Sequence, residues 1–403
     1  SVPGASPSLV AIEDVLRLPA RRTIEPDESP RLNLLDPQCI MFTSGTTGRA
    51  KGVLLSYGNH WWSAMASALN LGLRADDRWL VCLPLFHVGG LAMLLRAAIY
   101  GIPVVFPTLG PSGRGFEPGA VSRAMTEHGV SIVSVVTVML RRLLDHWADD
   151  PHPPTLRCVL LGGGPAPLGI LEECAARRLP VVQSYGMTET ASQVVALSPA
   201  DALRKLGSAG RPLLTNEIRI ASLDADPAGA EVPVGGVGEI WVRGPSVTAG
   251  YLPAAGDLSR PLPAVDGDGR LHTGDIGRLD EEGYLYVLDR RADLIISGGE
   301  NISPAEVEAV LLAHPDIAET AVYGITDARW GQSVAAAVVP RCGAALDEAM
   351  LRAFCRERLA GYKTPARIRV VAVLPRNASG KLLRRELRDE AEGTAIAQGA
   401  PRL

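Results

Sequence analysis

The segment of this 403-residue chain with the most evident chemistry is residues 42–53, FTSGTTGRAKGV. Its glycines leave backbone N–H groups accessible, its hydroxyls are short donors, and Lys51 adds a positive charge. This combination predicts a loop that binds phosphate. A Walker P-loop fits less well, because Lys51 is followed by Gly52 rather than by Ser or Thr. A surface turn rich in Gly and Thr is the alternative.

Lysine is scarce in the chain. Of its 40 basic residues only four are lysines, namely Lys51, Lys205, Lys363 and Lys381. In a chain that uses arginine so much more often, each lysine is a candidate for a functional role. The planar guanidinium of arginine and the compact ammonium of lysine are not interchangeable at a phosphate. Lys381 lies in a Ser/Gly loop, where a flexible ammonium could stabilise charge that builds up during phosphoryl transfer. A plain surface lysine is the alternative there.

Composition excludes several classes of protein. A net charge of −4 argues against a nucleic-acid partner. The longest apolar stretch, residues 130–140, contains polar residues and is shorter than the roughly 18 residues that span a bilayer. The six cysteines show neither CxxC pairs nor zinc spacing, which predicts buried thiols and a cytoplasmic location. Because the chain begins at Ser1, we expect it to start inside a longer sequence.

From about residue 38 short apolar runs alternate with amphipathic stretches, which is typical of α/β layers around a mostly parallel sheet. The glycine-rich run Gly162, Gly163 and Gly164 lies between a predicted strand and a predicted helix, but it lacks the GxGxxG spacing of a dinucleotide site. The predicted strands are residues 79–83, 103–106, 131–136, 157–161 and 180–183, and the predicted helices are residues 61–69, 91–100, 138–147 and 167–177.

After about residue 206 the pattern changes to shorter strands broken by Gly and Pro, as in a small antiparallel or barrel-like unit. An α+β module follows residue 289. We therefore divide the chain into residues 1–289 and 290–403. The predicted strands are residues 217–220, 238–243, 283–288, 317–323, 334–340 and 367–373, and the predicted helices are residues 304–312 and 346–359.

Five motifs in order resemble those of the adenylate-forming enzymes, a superfamily of acyl- and aryl-CoA synthetases, luciferases and peptide-synthetase adenylation domains. The motifs are residues 42–53, SYGMTET at 184–190, TGD at 273–275, DRRADLIISGG at 289–299 and PRNASGK at 375–381. The resemblance implies an α/β fold with a large N-terminal domain of layered sheets, a small β-barrel-like subdomain, and a small mobile α+β C-terminal domain. It also implies ATP, Mg²⁺ and coenzyme A as ligands.

The resemblance assigns roles to the nucleotide residues. Glu189 would bind Mg²⁺ and Thr188 the α-phosphate, while Tyr185 would stack on adenine and Asp275 with Arg290 would bind the ribose. A solvated carboxylate, a packed tyrosine and a turn aspartate are the alternatives. Further ATP or coenzyme A contacts would come from Thr43, Ser44, Gly45, Thr46, Thr47, Gly48, Lys51, Gly163, Gly164, Gly186, Gly298 and Gly299. Lys381 would be the catalytic lysine.

Within the family the chain is most similar to CoA ligases of 2-succinylbenzoate, through residues 83–91, 161–168, 183–193, 206–212 and 288–301. This similarity implies a menaquinone-pathway reaction in which the carboxylate attacks ATP to give an acyl-adenylate and diphosphate, and coenzyme A then displaces AMP. His87 would gate the acyl pocket beside Thr137, Gly162, Gly163 and Ser184. A structural histidine is the alternative.

Three features depart from the family pattern. Ala50 replaces a common proline, and Ala292 stands where many members have a hinge Asp or Lys. Family members also carry a longer segment before the phosphate loop, so we expect early N-terminal elements to be absent from this sequence. Another acyl- or aryl-CoA ligase, an amino-acid adenylation enzyme and a non-catalytic binding protein stay open, as does a homo-oligomer.

Overall fold

The computed structural model describes residues 32–44, 50–107, 116–164, 166–223, 230–253, 261–290, 293–341, 343–376 and 382–393. The chain divides into a short unit, Ser1–Asn33, and a large unit, Leu34–Leu403, and the elements below belong to the large unit.

Among the described residues the helices are α1 (Tyr57–Leu71), α2 (Val88–Tyr100), α3 (Pro118–Glu127), α4 (Thr137–Trp147), α5 (Leu168–Ala176), α6 (Pro304–Leu312), α7 (Glu348–Arg356) and α8 (Arg384–Ala391). The strands are β1 (Pro37–Ser44), β2 (Ala50–Ser56), β3 (Trp79–Leu80), β4 (Val104–Val105), β5 (Ile132–Val135), β6 (Cys158–Leu161), β7 (Val181–Met187), β8 (Ser192–Ala196), β9 (Arg211–Pro212), β10 (Glu217–Ala221), β11 (Gly238–Arg243), β12 (Gly250–Tyr251), β13 (Leu262–Pro263), β14 (Leu271–Leu279), β15 (Leu285–Arg290), β16 (Ile295–Ser297), β17 (Glu300–Ile302), β18 (Ile317–Asp327), β19 (Gly331–Pro340) and β20 (Arg367–Val370).

A seven-stranded sheet in the order β4-β3-β5-β6-β7-β8-β9 forms the centre of the large unit. Its first five strands run parallel, and β8 and β9 continue it antiparallel. Helices α2 to α5 connect the successive parallel strands, as a parallel order requires. Every residue of β5 and β6 is buried, because helices cover both faces of such a sheet. The predicted α/β class is confirmed.

Three smaller sheets complete the fold. The β1-β2-β12-β13 sheet carries the two strands that flank the predicted phosphate loop. The antiparallel β10-β11-β14-β15 sheet is the predicted subdomain. The last sheet, β17-β16-β19-β18 with β20 beside β19, packs against α6 and α7 around a separate apolar core. None of the described helices is long and apolar enough to cross a membrane.

Several boundaries differ from the prediction. Strand β7 continues to Met187, beyond the predicted end at residue 183, because residues 184–187 pair with β8. Helix α1 begins at Tyr57, earlier than its apolar pattern indicates, since Ser56 and Asn59 form a capping box. Helix α3 was missed, because its apolar pattern is weak and its cap is a glutamate, Glu117, before a proline. The helix at 304–312 and the strand at 238–243 have the predicted bounds.

Candidate active site

Neighbouring strands bring the predicted acyl-pocket residues to one edge of the central sheet. His87 follows β3 in the chain, Thr137 follows β5, Gly162 follows β6, and Ser184 lies on β7 just beyond the last residue paired with β6. The carboxyl ends of parallel strands lie at the same edge, which is where open α/β sheets bind ligands. The structure therefore groups these residues as the sequence predicts.

The loop after β6 lies in close contact with both neighbouring strands. A Cβ atom on Gly162 would lie 3.0 Å from Ser184 Oγ, and one on Gly163 would lie 3.1 Å from Cγ1 of Val136. Gly163 also has φ +80°, a conformation that side chains other than glycine's adopt at a cost. A Cβ on Gly164 would meet nothing within 4 Å, so the tip of the loop leaves space for a flat ligand.

His87 lies before the first turn of α2, with its ring centroid 4.5 Å from that of Phe86. Its Nε2 atom is buried and has no hydrogen-bond partner among the described residues. Burial lowers the pKa of the imidazole, so the ring is neutral near pH 7. A histidine with a purely structural role is normally satisfied by its neighbours, and this one is not. The structural alternative is therefore not supported by a hydrogen bond at Nε2, and the acyl-pocket role stays a prediction.

Tyr185, Asp275 and Arg290 form one hydrogen-bonded group. The Tyr185 hydroxyl donates to Asp275 Oδ2 over 2.8 Å, and Arg290 Nε lies 3.1 Å from Asp275 Oδ1. Asp275 and Arg290 are paired across β14 and β15, which fixes their register. Burial and the charge of Asp275 raise the pKa of Tyr185 well above its usual value, so the phenol stays a donor. Asp275 is only 5% exposed, and the binding of two ribose hydroxyls by its carboxylate stays a prediction.

The Tyr185 ring also packs against the apolar cluster of the subdomain. The packing alternative is therefore realised, and stacking on adenine stays a prediction.

Glu189 lies in a single 3₁₀ turn, Thr188–Thr190, at the tip of the β7–β8 hairpin. The hairpin closes tightly, since a Cβ on Gly186 would lie 2.0 Å from the carbonyl oxygen of Ser192. The Thr190 hydroxyl accepts from the Met187 N–H over 2.9 Å and thereby caps the turn. Sequence reasoning missed the reason for Gly186, the glycine of SYGMTET, which is this close approach of two strands.

The predicted phosphate loop joins β1 and β2, and Thr43 and Lys51 are opposite each other in that hairpin. Residues 45–49, which include Gly45, Thr46, Thr47 and Gly48, lie outside the described residues, and so does the side chain of Ser44. Lys51 Nζ lies 5.6 Å from the centre of the Tyr251 ring, and the Tyr251 hydroxyl donates to Glu189 Oε1 over 3.3 Å. Pairing of β12 with β2 thus brings the predicted phosphate and magnesium residues together.

Tyr251 was not among the predicted site residues. Burial and the charge of Glu189 raise its pKa to about 12, which keeps it a hydrogen-bond donor. No local motif marks this tyrosine, because only the pairing of two distant segments places it beside Glu189.

A magnesium ion at Glu189 would need oxygen donors in addition to this carboxylate. Within the described part of the chain no group of three acidic, His or Cys side chains could hold a metal by itself. Glu189 therefore supplies a single hard oxygen group. This suits Mg²⁺, which keeps several waters and binds through one or two carboxylates and substrate phosphates.

Gly298 and Gly299 form the tight turn between β16 and β17, with φ values of +60° and +89°. The exposed ring of Trp330 covers Gly298, where an added Cβ would lie 2.8 Å from the ring. Arg329 lies 4.6 Å over the same ring. Trp330 was not predicted, since it follows no motif. Lys381 lies outside the described residues, so its role stays a prediction.

These features agree with comparisons to known proteins. Residues 5–252 match the model of the AMP-binding enzyme family, and residues 306–381 match that of the AMP-binding enzyme C-terminal domain. The chain belongs to the AMP-binding enzyme family.

Among its relatives is the 2-succinylbenzoate–CoA ligase of Geobacillus kaustophilus, which is 54% identical over 87% of this chain and 68% of the relative. A ligase of the same name from Bacillus cereus is 51% identical over 89% of this chain and 71% of its own length. A solved structure of o-succinylbenzoate CoA synthetase from Bacillus subtilis, in complex with the acyl-adenylate intermediate OSB-AMP, is 48% identical with a TM-score of 0.79. It is matched over 89% of this chain and 70% of that one.

Proposed function

We propose that the chain is an ATP-dependent ligase that converts 2-succinylbenzoate and coenzyme A into 2-succinylbenzoyl-CoA, with release of AMP and diphosphate. The observation that carries this proposal is the convergence of His87, Gly162 and Ser184 with Tyr185 at the carboxyl edge of the central sheet. One strand, β7, connects the acyl residues to the nucleotide residues, so both substrates meet there. The B. subtilis enzyme was also solved with ATP and magnesium ion, at 47% identity and a TM-score of 0.78.

In the first half-reaction a carboxylate oxygen of the acid forms a bond to the α-phosphorus of ATP, and the bond to diphosphate breaks. Asp275 and Arg290 would hold the ribose, while Thr188 and Lys51 face the phosphates. Lys381 would place its ammonium between the carboxylate and the α-phosphate. Glu189 would hold Mg²⁺, which when bound would supply positive charge that offsets the negative charge of the leaving diphosphate.

In the second half-reaction the thiol sulfur of coenzyme A attacks the acyl carbonyl carbon, its proton is lost, and AMP leaves with the former carboxylate oxygen. The turn at Gly298 and Gly299 would line the thiol path. We infer that the two steps use different positions of a C-terminal domain, residues 290–403, relative to residues 1–289. Asp289 lies at this junction, where it accepts from the Ser303 hydroxyl over 2.8 Å and from the Ala305 N–H over 3.1 Å.

Diphosphate release with Mg·ATP tests the acid specificity, and mass spectrometry of the CoA product tests the transfer. The panel contains 2-succinylbenzoate, benzoate, 4-phenylbutanoate and a fatty acid. We expect 2-succinylbenzoate to give the highest kcat/KM and a thioester of the expected mass. Equal or larger signals with benzoate or the fatty acid contradict the assignment and favour another acyl- or aryl-CoA ligase.

We further propose a cytoplasmic location, because the reaction draws on the ATP and coenzyme A pools of that compartment. A homo-oligomer is a separate proposal, which sedimentation of the purified chain tests.

A further inference from the structure

One face of helix α1 is polar although it is buried. Asn59, Ser63 and Ser67 are spaced four residues apart, so they lie on the same side of the helix. They are 8%, 1% and 0% exposed. A helix that packs on a core normally buries apolar side chains there, and each buried polar group needs a partner.

Two residues of this polar face, Asn59 and Ser63, donate to backbone carbonyls of segments that adjoin the Glu189 turn. The Ser63 hydroxyl donates to the carbonyl oxygen of Ala191 over 2.9 Å. The Asn59 amide donates to the carbonyl oxygen of Val247 over 2.9 Å, and the next residue, Thr248, donates its N–H to the Glu189 carbonyl oxygen over 2.7 Å. Helix α1 therefore supports the Glu189 turn through Ala191 and through the segment that contains Thr248.

Arg96 of helix α2 lies at the centre of this contact and is only 3% exposed. Its Nη2 donates to the Ser63 hydroxyl over 3.0 Å, and its Nη1 donates to Gln193 Oε1 over 3.1 Å. Gln193 in turn donates to the Ser67 hydroxyl over 3.1 Å. Because Arg96 occupies one lone pair of Ser63, it orients that hydroxyl towards Ala191.

The charge of Arg96 is expensive to bury. In the described part of the chain it forms no ion pair, its guanidinium lies 6.0 Å from the centre of the Trp79 ring, and its charge also acts on His60 and Tyr100. Burial lowers the pKa of its guanidinium, because the charged form loses its contact with water. Replacing a buried charged group together with its partners by apolar side chains of similar volume is often neutral or stabilising. Stability alone therefore does not explain this arginine.

The backbone that Ser63 holds is strained. Ala191 has φ +49° and Ser192 has φ +101°, although neither is a glycine. Such conformations cost about 1–3 kcal/mol each and persist only where surrounding contacts impose them. They lie directly after the Thr188–Thr190 turn, so they determine the direction in which that turn projects.

We propose that Arg96 is a positioning residue that acts through Ser63 and the strained Ala191 to aim the Glu189 carboxylate at the magnesium ion of Mg·ATP. The inference rests on the proposed function, since it assumes that Glu189 binds this ion. It requires no contact between Arg96 and substrate.

The test measures nucleotide binding by calorimetry in the full chain, with and without Mg²⁺, for wild type, Arg96→Met and Ser63→Ala. We expect AMP affinity and ATP affinity in EDTA to stay at wild-type values in both variants. The gain in ATP affinity on adding MgCl₂ should fall by about tenfold or more, the usual effect of removing a group that orients a metal ligand.

Two controls separate positioning from general destabilisation. Arg157→Met removes an arginine that pairs with buried Asp77 over 2.5 Å, before β6 at the opposite edge of the sheet. Ser122→Ala removes a hydroxyl on α3 that accepts a hydrogen bond from Trp147 Nε1 over 2.8 Å. Both should leave the magnesium-dependent gain unchanged, although Arg157→Met should lower the melting temperature.

An unchanged magnesium gain in Ser63→Ala and Arg96→Met overturns the inference, and so does an equal loss of AMP and Mg·ATP affinity. If Arg96→Met does not fold, Ser63→Ala decides by the same criteria. A wild-type chain that binds Mg·ATP but forms no thioester contradicts the proposed ligase function instead, because these binding measurements do not depend on the acid or on coenzyme A.

Discussion

Replacing Asp275 by asparagine tests whether the Tyr185, Asp275 and Arg290 group binds the ribose. Hydrogen bonds to a charged acceptor contribute about 1.5–3 kcal/mol, against about 0.5–1.5 kcal/mol for neutral pairs. Two ribose hydroxyls on a carboxylate would therefore lose about 2–3 kcal/mol together in Asp275→Asn. At about 1.4 kcal/mol per factor of ten, kcat/KM for ATP should fall about 30- to 150-fold.

The structure predicts a further loss from the amide itself. In either orientation of the amide that Asp275→Asn introduces, its NH₂ group would replace a carboxylate oxygen that now faces a hydrogen-bond donor. The two oxygens are Oδ2, which lies 2.8 Å from the Tyr185 hydroxyl, and Oδ1, which lies 3.1 Å from Arg290 Nε. One existing hydrogen bond is therefore weakened in addition to those with the ribose.

The assay compares ATP with 2′-deoxy-ATP and 3′-deoxy-ATP in diphosphate release. The wild type should discriminate against both analogues, and Asp275→Asn should lose most of that discrimination, because the carboxylate that senses the hydroxyls is gone. The exposed Asp268→Asn, which only affects a pair with Arg270, is the matched control on the same subdomain. If Asp275→Asn discriminates as strongly as the wild type, Asp275 does not bind the ribose and its role is structural.

Three further predictions concern other elements of the site. Gly186→Ala should cost at least about 1–3 kcal/mol in urea unfolding and abolish diphosphate release, since its Cβ would overlap the Ser192 carbonyl; Gly169→Ala, with open space around the Cβ, is the control. Lys381→Ala should abolish adenylation yet still transfer the acyl group from supplied acyl-adenylate to coenzyme A, and equal loss of both steps would refute separate roles for the two domain positions. Burial and the charge of Arg96 lower the pKa of His60 to about 4, whereas the unfolded value is about 6.5. The contribution of His60 to the free energy of unfolding should therefore be constant above about pH 6.5 and decrease by about 3 kcal/mol towards pH 4, because only the unfolded state takes up the proton in this range. A His60→Asn variant with the same pH profile would contradict this prediction.

Much of the fold could be predicted because its signals are local. The parallel strands are short apolar runs between helices with apolar residues three and four positions apart, and α4 buries Leu140, Leu143, Leu144 and Trp147 on one face as that spacing requires. Strand β8 was missed for a physical reason. It exists because a hairpin returns the chain after Glu189, and the two-residue strands β9 and β12 likewise depend on distant partners.

The residues of the candidate site also fall into those that local sequence signals predict and those that only distant contacts reveal. Residues inside motifs, such as Ser184, Asp275 and Gly298, could be named from the sequence, since their neighbours along the chain identify them. Tyr251 and Arg96 could not, because their roles depend on contacts with segments 62 and 97 residues away, respectively. Arg96 lies inside an otherwise largely apolar helix, but only the three-dimensional structure shows that it is buried and which groups it contacts.

The scarcity of lysine gains a physical interpretation only from the contacts. Lys205 pairs with Asp280 and Glu282 over 2.8 and 2.6 Å, and Lys363 pairs with Glu306 over 2.7 Å. Arginine could make such pairs equally well, so rarity by itself does not mark a catalytic residue. Lys51 differs, because among the described residues it forms no ion pair and its nearest aromatic neighbour is the tyrosine that reaches Glu189. A compact ammonium that pairs with none of the described carboxylates is available to phosphate oxygens, which makes Lys51 the described lysine most suited to the chemistry of this site.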